Sequence, residues 1–161
     1  MRVIHLPTLW TILLDCLAWA IIQPAVAYLC LKLPAALLQP RRWLFRARRW
    51  ERGGALYQDL FRVKRWKVRL PSGGALFQGF AMTSIRSRDP AHLQEWVRET
   101  CRAELCHWLA ILPAGLFFLW NSFSIGLVMI LYAVAFNLPL VLVQRYNRPR
   151  LLQILRRQQQ A

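Results

Sequence analysis

The residues of this sequence best suited to chemistry lie on one predicted helix, directly before an apolar run. Glu99, Glu104 and His107 precede the apolar residues that begin at Trp108. On a helical wheel of ~100° per residue, His107 lies at about 80°, between Glu99 at zero and Glu104 at about 140°. A carboxylate beside an imidazole holds its tautomer and stabilises the imidazolium, as a general base requires. The pattern predicts His107 as a general base that Glu104 or Glu99 supports.

A structural interpretation of the same residues stays open. Arg102 can pair with Glu99 at i, i+3, and His107 can lie at the membrane interface with a backbone or carboxylate partner. Charged groups cost roughly 2.5–3.5 kcal/mol each at the bilayer centre on insertion scales. A cluster of them at the edge of the bilayer therefore favours a function over a structural role. In the functional interpretation, Arg102 is a substrate-binding candidate. The Glu-x-x-His spacing also occurs in di-iron bundles, but these need matching motifs on other helices, so no metal is expected.

A second polar cluster follows the next apolar run. Gln144, Arg145, Asn147 and Arg148 occur within five residues. Guanidinium groups bind phosphate or carboxylate in bidentate geometry, so the cluster favours ligand binding over an ordinary basic flank. Pro149 disfavours helical geometry at the preceding residue, which predicts a non-helical exit there.

Asn137 lies inside that apolar run, two residues before Pro139. Such a polar side chain either contributes to the site or satisfies carbonyl groups that the proline frees. Both interpretations stay open from the sequence.

The composition indicates an integral membrane protein. The chain is 57% hydrophobic yet carries a formal net charge of +15. Apolarity and basicity together are typical of a small membrane protein with a basic cytoplasmic face. We expect an all-α membrane protein, a single domain over residues 1–161, with about three transmembrane helices at 9–33, 105–120 and 125–143. The second helix should begin at Asp89-Pro90 and kink at Pro113.

Charge sets the expected orientation. Between Arg41 and Arg102 there are 15 Lys or Arg and 5 acids, a balance of +10, and the chain from Arg145 onward has 5 Arg and no acid. The positive-inside rule therefore predicts a cytoplasmic basic loop at 34–104 and a cytoplasmic tail at 144–161, against anionic lipid headgroups. A cleaved signal peptide ending near Ala25-Val-Ala27 is the alternative for the N-terminal segment.

The basic loop shows two local patterns. Trp43, Ala47 and Trp50 recur at helical spacing among arginines, which predicts an interfacial amphipathic helix over 41–52. Alternation over 61–70 and the turn after it predict a small β-hairpin with a return strand at 75–82. Its basic face, with Lys64 and Lys67, either binds phosphates or is a solvated or lipid-facing surface.

Other functional classes lack their signatures. The sequence has no Gly-rich phosphate loop, no G-x-S-x-G elbow and no H-E-x-x-H motif. Nucleic-acid binding would explain the charge but not the spans. The four cysteines form no C-x-x-C pair and offer no obvious bridging geometry.

The motifs resemble a known family. The segments Glu99-Thr-x-Arg-Ala-Glu-Leu-x-His-Trp108, Asn137-x-Pro139 and Gln144-Arg-Tyr-Asn-Arg-Pro-Arg-Leu151 are similar to those of the glycosyl-diaponeurosporenoate acyltransferases of staphyloxanthin-type carotenoid synthesis. The Val63-x-x-Trp66-Lys67 core fits as well. The resemblance covers about 51–151.

This resemblance implies transfer of a fatty acyl chain from acyl-CoA or a similar thioester to a sugar hydroxyl of a carotenoid glycoside or similar glycolipid, in a bacterial cell (inner) membrane, with no bound cofactor. It implies His107 as the base, Glu104 or Glu99 as its support, and Arg145, Asn147 or Arg148 as a donor or oxyanion ligand, and it adds Lys64, Trp66 and Lys67 to the substrate-binding candidates. Two alternatives stay open: a non-catalytic subunit or assembly factor with membrane-protein partners, and an acyltransferase or hydrolase on another polar lipid.

Overall fold

Three long helices dominate the computed structural model, which describes residues 2–69 and 89–160. They are α1 (Thr8–Leu31), α4 (Pro90–Ile111) and α5 (Phe123–Gln160), and two short helices, α2 (Ala55–Phe61) and α3 (Val63–Trp66), lie in the loop between α1 and α4. The described ranges contain no strand, and their 3-10 helices cover Ala35–Leu37, Arg49–Gly54, Lys67–Arg69 and Leu112–Leu119. Thr8–Leu31, Pro90–Leu119 and Phe123–Gln160 are long and apolar enough to cross a membrane. The all-α membrane class with three spans is confirmed.

Helix α4 starts at the expected residue, and its geometry changes next to the proline where a kink was expected. The Asp89 carboxylate accepts a hydrogen bond from the backbone N–H of His92 at 3.1 Å, and Pro90 occupies the first turn. The α-helical geometry ends at Ile111, and a 3-10 helix carries the chain past Pro113. Proline removes a helical hydrogen bond and clashes with the preceding turn, which explains the change of geometry.

The expected exit from α5 at Arg148 is wrong, because α5 continues through both Pro139 and Pro149 to Gln160. Beside Pro149, Arg150 Nη1 donates to the backbone oxygen of Tyr146 at 2.7 Å. The helix around Pro149 is also buried against α4, and that packing outweighs the local preference of the proline.

Helices α4 and α5 pack along a seam of alternating three- and four-residue spacing, as in antiparallel coiled coils. On α4 the seam residues are Leu93, Val97, Thr100, Glu104 and His107, and on α5 they are Asn137, Val141, Gln144, Arg148, Leu151 and Leu155. One end is apolar, where Leu93, Trp96 and Val97 pack on Leu151 and Leu155. The rest of the seam is polar and brings the candidate residues together.

Helix α1 is attached to α4 at its C-terminal end and, in its first half, to the turn that follows the 3-10 helix at Leu112–Leu119. Near its start, the buried Asp15 Oδ1 accepts hydrogen bonds from Trp120 Nε1 and Asn121 Nδ2, each at 2.8 Å. At its end, Arg102 Nη1 donates to the backbone oxygen of Leu31 at 3.0 Å. Arg102 thus satisfies a carbonyl at the C-terminus of α1, where a cation is favourable.

The expected helix over 41–52 does not form. Residues 40–45 form turns, and a 3-10 helix follows at Arg49–Gly54, with positive φ angles at Arg52, Gly53 and Gly54. The physical reason is tertiary, because Glu51 is drawn inward to Arg145 and is only 1% exposed.

The expected strand over 61–70 is also wrong, because that segment holds α3 and the 3-10 helix at Lys67–Arg69. Arg62 has a φ of 50°, which ends α2 and starts α3. Val63 and Trp66 then pack on one side at i, i+3, and the apparent slip in the alternation reflects this helical turn. The return strand expected at 75–82 lies outside the described residues.

Candidate active site

His107 and Asn137 meet across the seam between α4 and α5. His107 Nδ1 lies 3.0 Å from Asn137 Oδ1, and Asn137 is fully buried. Asn137 Nδ2 donates to the backbone oxygen of Ala133 at 2.9 Å. Since the amide nitrogen is committed to that carbonyl, Oδ1 faces the ring and accepts a hydrogen bond from Nδ1–H. A neutral His107 in this arrangement keeps the lone pair of Nε2 for a substrate proton.

Asn137 therefore does not repair the helix at Pro139. That proline removes the donor to the carbonyl of Ala135, four residues earlier, whereas Asn137 bonds to Ala133. The side chain instead fixes the orientation of the imidazole.

Glu104 lies between two arginines, and in the described part of the chain its carboxylate bonds to them rather than to His107. Its Oε1 accepts from Arg145 Nε at 2.7 Å, and its Oε2 accepts from Arg148 Nη2 at 2.6 Å. The helical wheel correctly puts Glu104 and His107 on one face of α4, but α5 supplies arginines to one and an asparagine to the other. In this arrangement the hydrogen-bond partner of His107 is therefore Asn137, and not Glu104 as expected.

Arg145 and Arg148 clamp the loop after α1 onto α4 and α5. Arg145 also donates to Glu51 Oε1 at 2.9 Å and to the backbone oxygen of Leu44 at 2.7 Å. Arg148 donates to the backbone oxygen of Phe45 at 2.8 Å. Two further bonds run from Arg148 to the hydroxyl and backbone oxygens of Thr100, at 2.9 and 2.8 Å. Every nitrogen of both guanidinium groups has a protein acceptor, so the network supports the loop rather than an open ligand site.

Glu51 is the member of this network that the sequence analysis missed. Its Oε1 accepts from the backbone N–H of Arg48 at 3.0 Å as well as from Arg145. The signal was present, since Glu51 is the one acid in the arginine-rich segment 41–52. A lone carboxylate among so many cations is attracted to them, which makes it a candidate for an ion pair.

Glu99 and Arg102 form a separate pair beside the end of α1. Arg102 Nε lies 3.3 Å from Glu99 Oε1, and the side chains are 18% and 14% exposed for Arg102 and Glu99. Because Arg102 also bonds to Leu31, the Glu99–Arg102 pair connects α4 to α1. It does not support His107, as the sequence analysis had expected of Glu99.

Gln144 occupies the seam between the His107–Asn137 pair and the Glu104–Arg148 pair. Its side chain is buried, and its Oε1 has no hydrogen-bond partner among the described residues. Gln144 follows Asn137 by seven residues, about two turns on the same face of α5. An unpaired buried carbonyl costs about 1–3 kcal/mol, which a substrate hydroxyl would recover.

The remaining expected residues gather around Asn147. Lys67 Nζ donates to Asn147 Oδ1 at 2.9 Å, and Trp66 Nε1 donates to the backbone oxygen of Phe61 at 2.7 Å. Lys64 is exposed on α3, and its backbone N–H donates to Gln58 Oε1. Within the described residues, no three His, Cys, Asp or Glu side chains could together hold a metal ion.

Comparison with known proteins identifies the family. The family model described as glycosyl-4,4'-diaponeurosporenoate acyltransferase matches residues 40–157. The chain belongs to this acyltransferase family. A relative of that description from Staphylococcus aureus strain N315 is 33% identical over 139 residues, which are 86% of this chain and 84% of the relative. The relative from strain USA300 is 32% identical over the same shares. No solved structure matches.

The match to the acyltransferase family covers the whole candidate site. Residues 40–157 include the clamp from Leu44 to Glu51, the seam residues of α4 and α5, and the group around Lys67. The chain is thus an acyltransferase, and its polar seam lies within the part that defines the family.

Proposed function

We propose that this enzyme transfers a fatty acyl chain to a sugar hydroxyl of a carotenoid glycoside or a similar glycolipid. The names of its relatives support the carotenoid glycoside as the acceptor class. The observation that carries the proposal is the His107–Asn137 pair, held between two membrane helices. Farther along the same seam, Gln144 Oε1 has no hydrogen-bond partner among the described residues.

In the proposed mechanism, His107 Nε2 takes the proton of the sugar hydroxyl as the oxygen attacks the thioester carbonyl carbon. A tetrahedral intermediate forms, the C–S bond breaks, and the thiolate leaves with the proton that His107 returns. Asn137 holds Nδ1–H throughout, so that Nε2 faces the substrate. Gln144 Oε1 accepts a hydrogen bond from a neighbouring sugar hydroxyl. General-base catalysis of this kind contributes about 10²–10⁴-fold.

The membrane supplies the acceptor. A carotenoid glycoside keeps its apolar chain among the lipids and its sugar at headgroup level, where the apolar part of α4 gives way to the polar seam. The donor is proposed to be acyl-CoA or a similar thioester, reached from the cytoplasm. We propose the bacterial inner membrane, with the loop at 34–104 and the tail at 144–161 cytoplasmic. A Ser72→Cys variant labelled only from the outside would contradict this orientation.

The test of function uses the purified full chain in detergent, with acyl-CoA and glycosyl-4,4'-diaponeurosporenoate, and mass spectrometry of the extracted lipids. We expect an acylated glycoside with the unaltered chain and a loss of about 10²–10⁴-fold in His107→Ala. His5→Ala is the matched control, because His5 is exposed and outside the seam. His107→Ala with unchanged transfer would reject the mechanism.

A panel of other polar lipids separates the alternatives. Acylation or hydrolysis of a different lipid, with no reaction on the glycoside, would change the proposed substrate. It would leave His107 as the proposed base. No reaction on any lipid, with a stable membrane-protein complex, would favour a non-catalytic subunit.

A further inference from the structure

Two cations converge on the buried ring of Tyr146. Arg150 Cζ lies 3.6 Å from the ring centroid, and Lys67 Nζ lies 5.0 Å from it. Tyr146 is only 1% exposed, and Lys67 is held further by its bond to Asn147. Each cation is thus fixed over an aromatic face, at the end of the polar seam away from His107.

These cations have no acidic partner in the described part of the chain. The ion pairs there all use other arginines, which are Arg52, Arg98, Arg102, Arg145 and Arg148. Burial lowers the pKa of Lys67, and the positive charges of Arg150 and Lys64 lower it further. Two like charges in one partly buried place, with the exposed Lys64 beside them, are unfavourable unless an anion joins them.

The backbone holds this group in place. Gly54 has a φ of +88°, and a Cβ there would lie 2.9 Å from Arg150 Nη1 and 3.0 Å from the backbone oxygen of Tyr146. Only glycine permits both the left-handed conformation and this approach, so the turn packs directly on α5. Arg150 is therefore built into the contact, unlike an arginine that extends freely from a surface.

We infer that Lys67 and Arg150, with Lys64 beside them, form a phosphate-binding site. The inference rests on the proposed function, in which the acyl donor carries phosphoryl groups. Asn147 follows Asn137 by ten residues, or about 15 Å along α5. The flexible part of the acyl donor between its phosphates and its thioester can span this distance, with the phosphates bound here and the thioester at His107. Anionic lipid headgroups carry the same phosphate chemistry and are the second source to be tested.

The test measures binding, not catalysis. The full chain in neutral detergent is titrated with CoA and separately with inorganic pyrophosphate, by calorimetry. We expect Lys67→Gln and Arg150→Gln each to weaken CoA binding about tenfold, as loss of a charge-assisted hydrogen bond does. Arg65→Gln is the matched control, because Arg65 is exposed on α3 and its side chain makes no hydrogen bond or ion pair within the described residues. Lys67→Arg should retain most of the affinity, which separates charge loss from misfolding.

Mixed micelles with phosphatidylglycerol or neutral phosphatidylcholine distinguish the sources. If both Gln variants lose a phosphatidylglycerol-dependent thermal shift but bind CoA normally, the phosphate site is a lipid-headgroup site. If neither CoA, pyrophosphate nor phosphatidylglycerol binding responds to either variant, the site is overturned. His107→Ala should bind CoA as the unaltered chain does, so failure of catalysis and failure of this site give different results.

Discussion

Glu104 Oε2 accepts a hydrogen bond from Arg148 Nη2 at 2.6 Å, and the two side chains are 0% and 3% exposed. This pair joins α4 to α5, and Arg145 and Glu51 extend it to the loop after α1. A buried ion pair with both partners present need not add much stability, but the loss of one partner leaves a buried charge unpaired.

We therefore expect Glu104→Ala to destabilise the fold by about 3–5 kcal/mol, because Arg148 and Arg145 would lose their shared carboxylate. Thermal unfolding in detergent measures this change. A Glu104→Leu, Arg148→Met double variant should recover part of the stability. A Glu104→Ala protein of unchanged stability and lost activity would instead indicate a direct chemical role.

Asn137→Leu should lower kcat by about 10–100-fold with little change in KM, because a partner that orients a reactive imidazole contributes in this range. Leucine has the same number and branching of side-chain heavy atoms as asparagine, so it comes closest to keeping the helix packing while the acceptor for His107 Nδ1 is lost. Steady-state kinetics with the glycoside acceptor make the measurement. Equal kinetics in the variant and the unaltered chain would remove Asn137 from the mechanism.

Asp15→Leu should destabilise the bundle by about 1–3 kcal/mol, because Trp120 and Asn121 would each lose a buried acceptor. Resistance to limited proteolysis and thermal unfolding report this loss. Cys16→Ser, at an exposed neighbour on α1, is the control. The prediction fails if the two variants unfold at the same temperature.

Cys30 on α1 and Cys106 on α4 are neighbours across the contact between the two helices, although the sequence spacing suggested no such pair. We expect copper phenanthroline to cross-link them, so that mass spectrometry of a non-reduced protease digest finds the peptides containing Cys30 and Cys106 joined. Cys101→Ser should cross-link equally, whereas Cys106→Ser should not. Absence of a cross-link in the unaltered chain would contradict the packing of α1 on α4.

Burial and the neighbouring Glu51 carboxylate raise the pKa of Tyr57 to about 12. Between pH 10, the ordinary value for a phenol, and about 12, the unfolded chain loses this proton while the folded chain keeps it. The Tyr57 contribution is therefore fully present below pH 10 and is lost as pH rises toward 12. We expect Tyr57→Phe to lose less stability over this range, as measured by unfolding at each pH. A parallel loss in both proteins would exclude Tyr57 as the cause.

The sequence alone determined the membrane class, the three spans and the start of α4. Hydrophobic length and local capping are properties of neighbouring residues, so they can be read without knowing the fold. The family resemblance also followed from contiguous motifs around Glu99, Asn137 and Gln144, and the family match confirms it.

The tertiary structure decided which polar groups meet. Glu104 and His107 lie on one face of α4, but their partners come from α5, and only the register of the seam assigns arginines to one and Asn137 to the other. Packing also explains why α5 continues through Pro149 and why Glu51 of segment 41–52 pairs with Arg145 instead of lying on an interfacial helix. Local preferences amount to a few kcal/mol at most, and a buried charge without its partner costs as much or more, so long-range pairing determined these details.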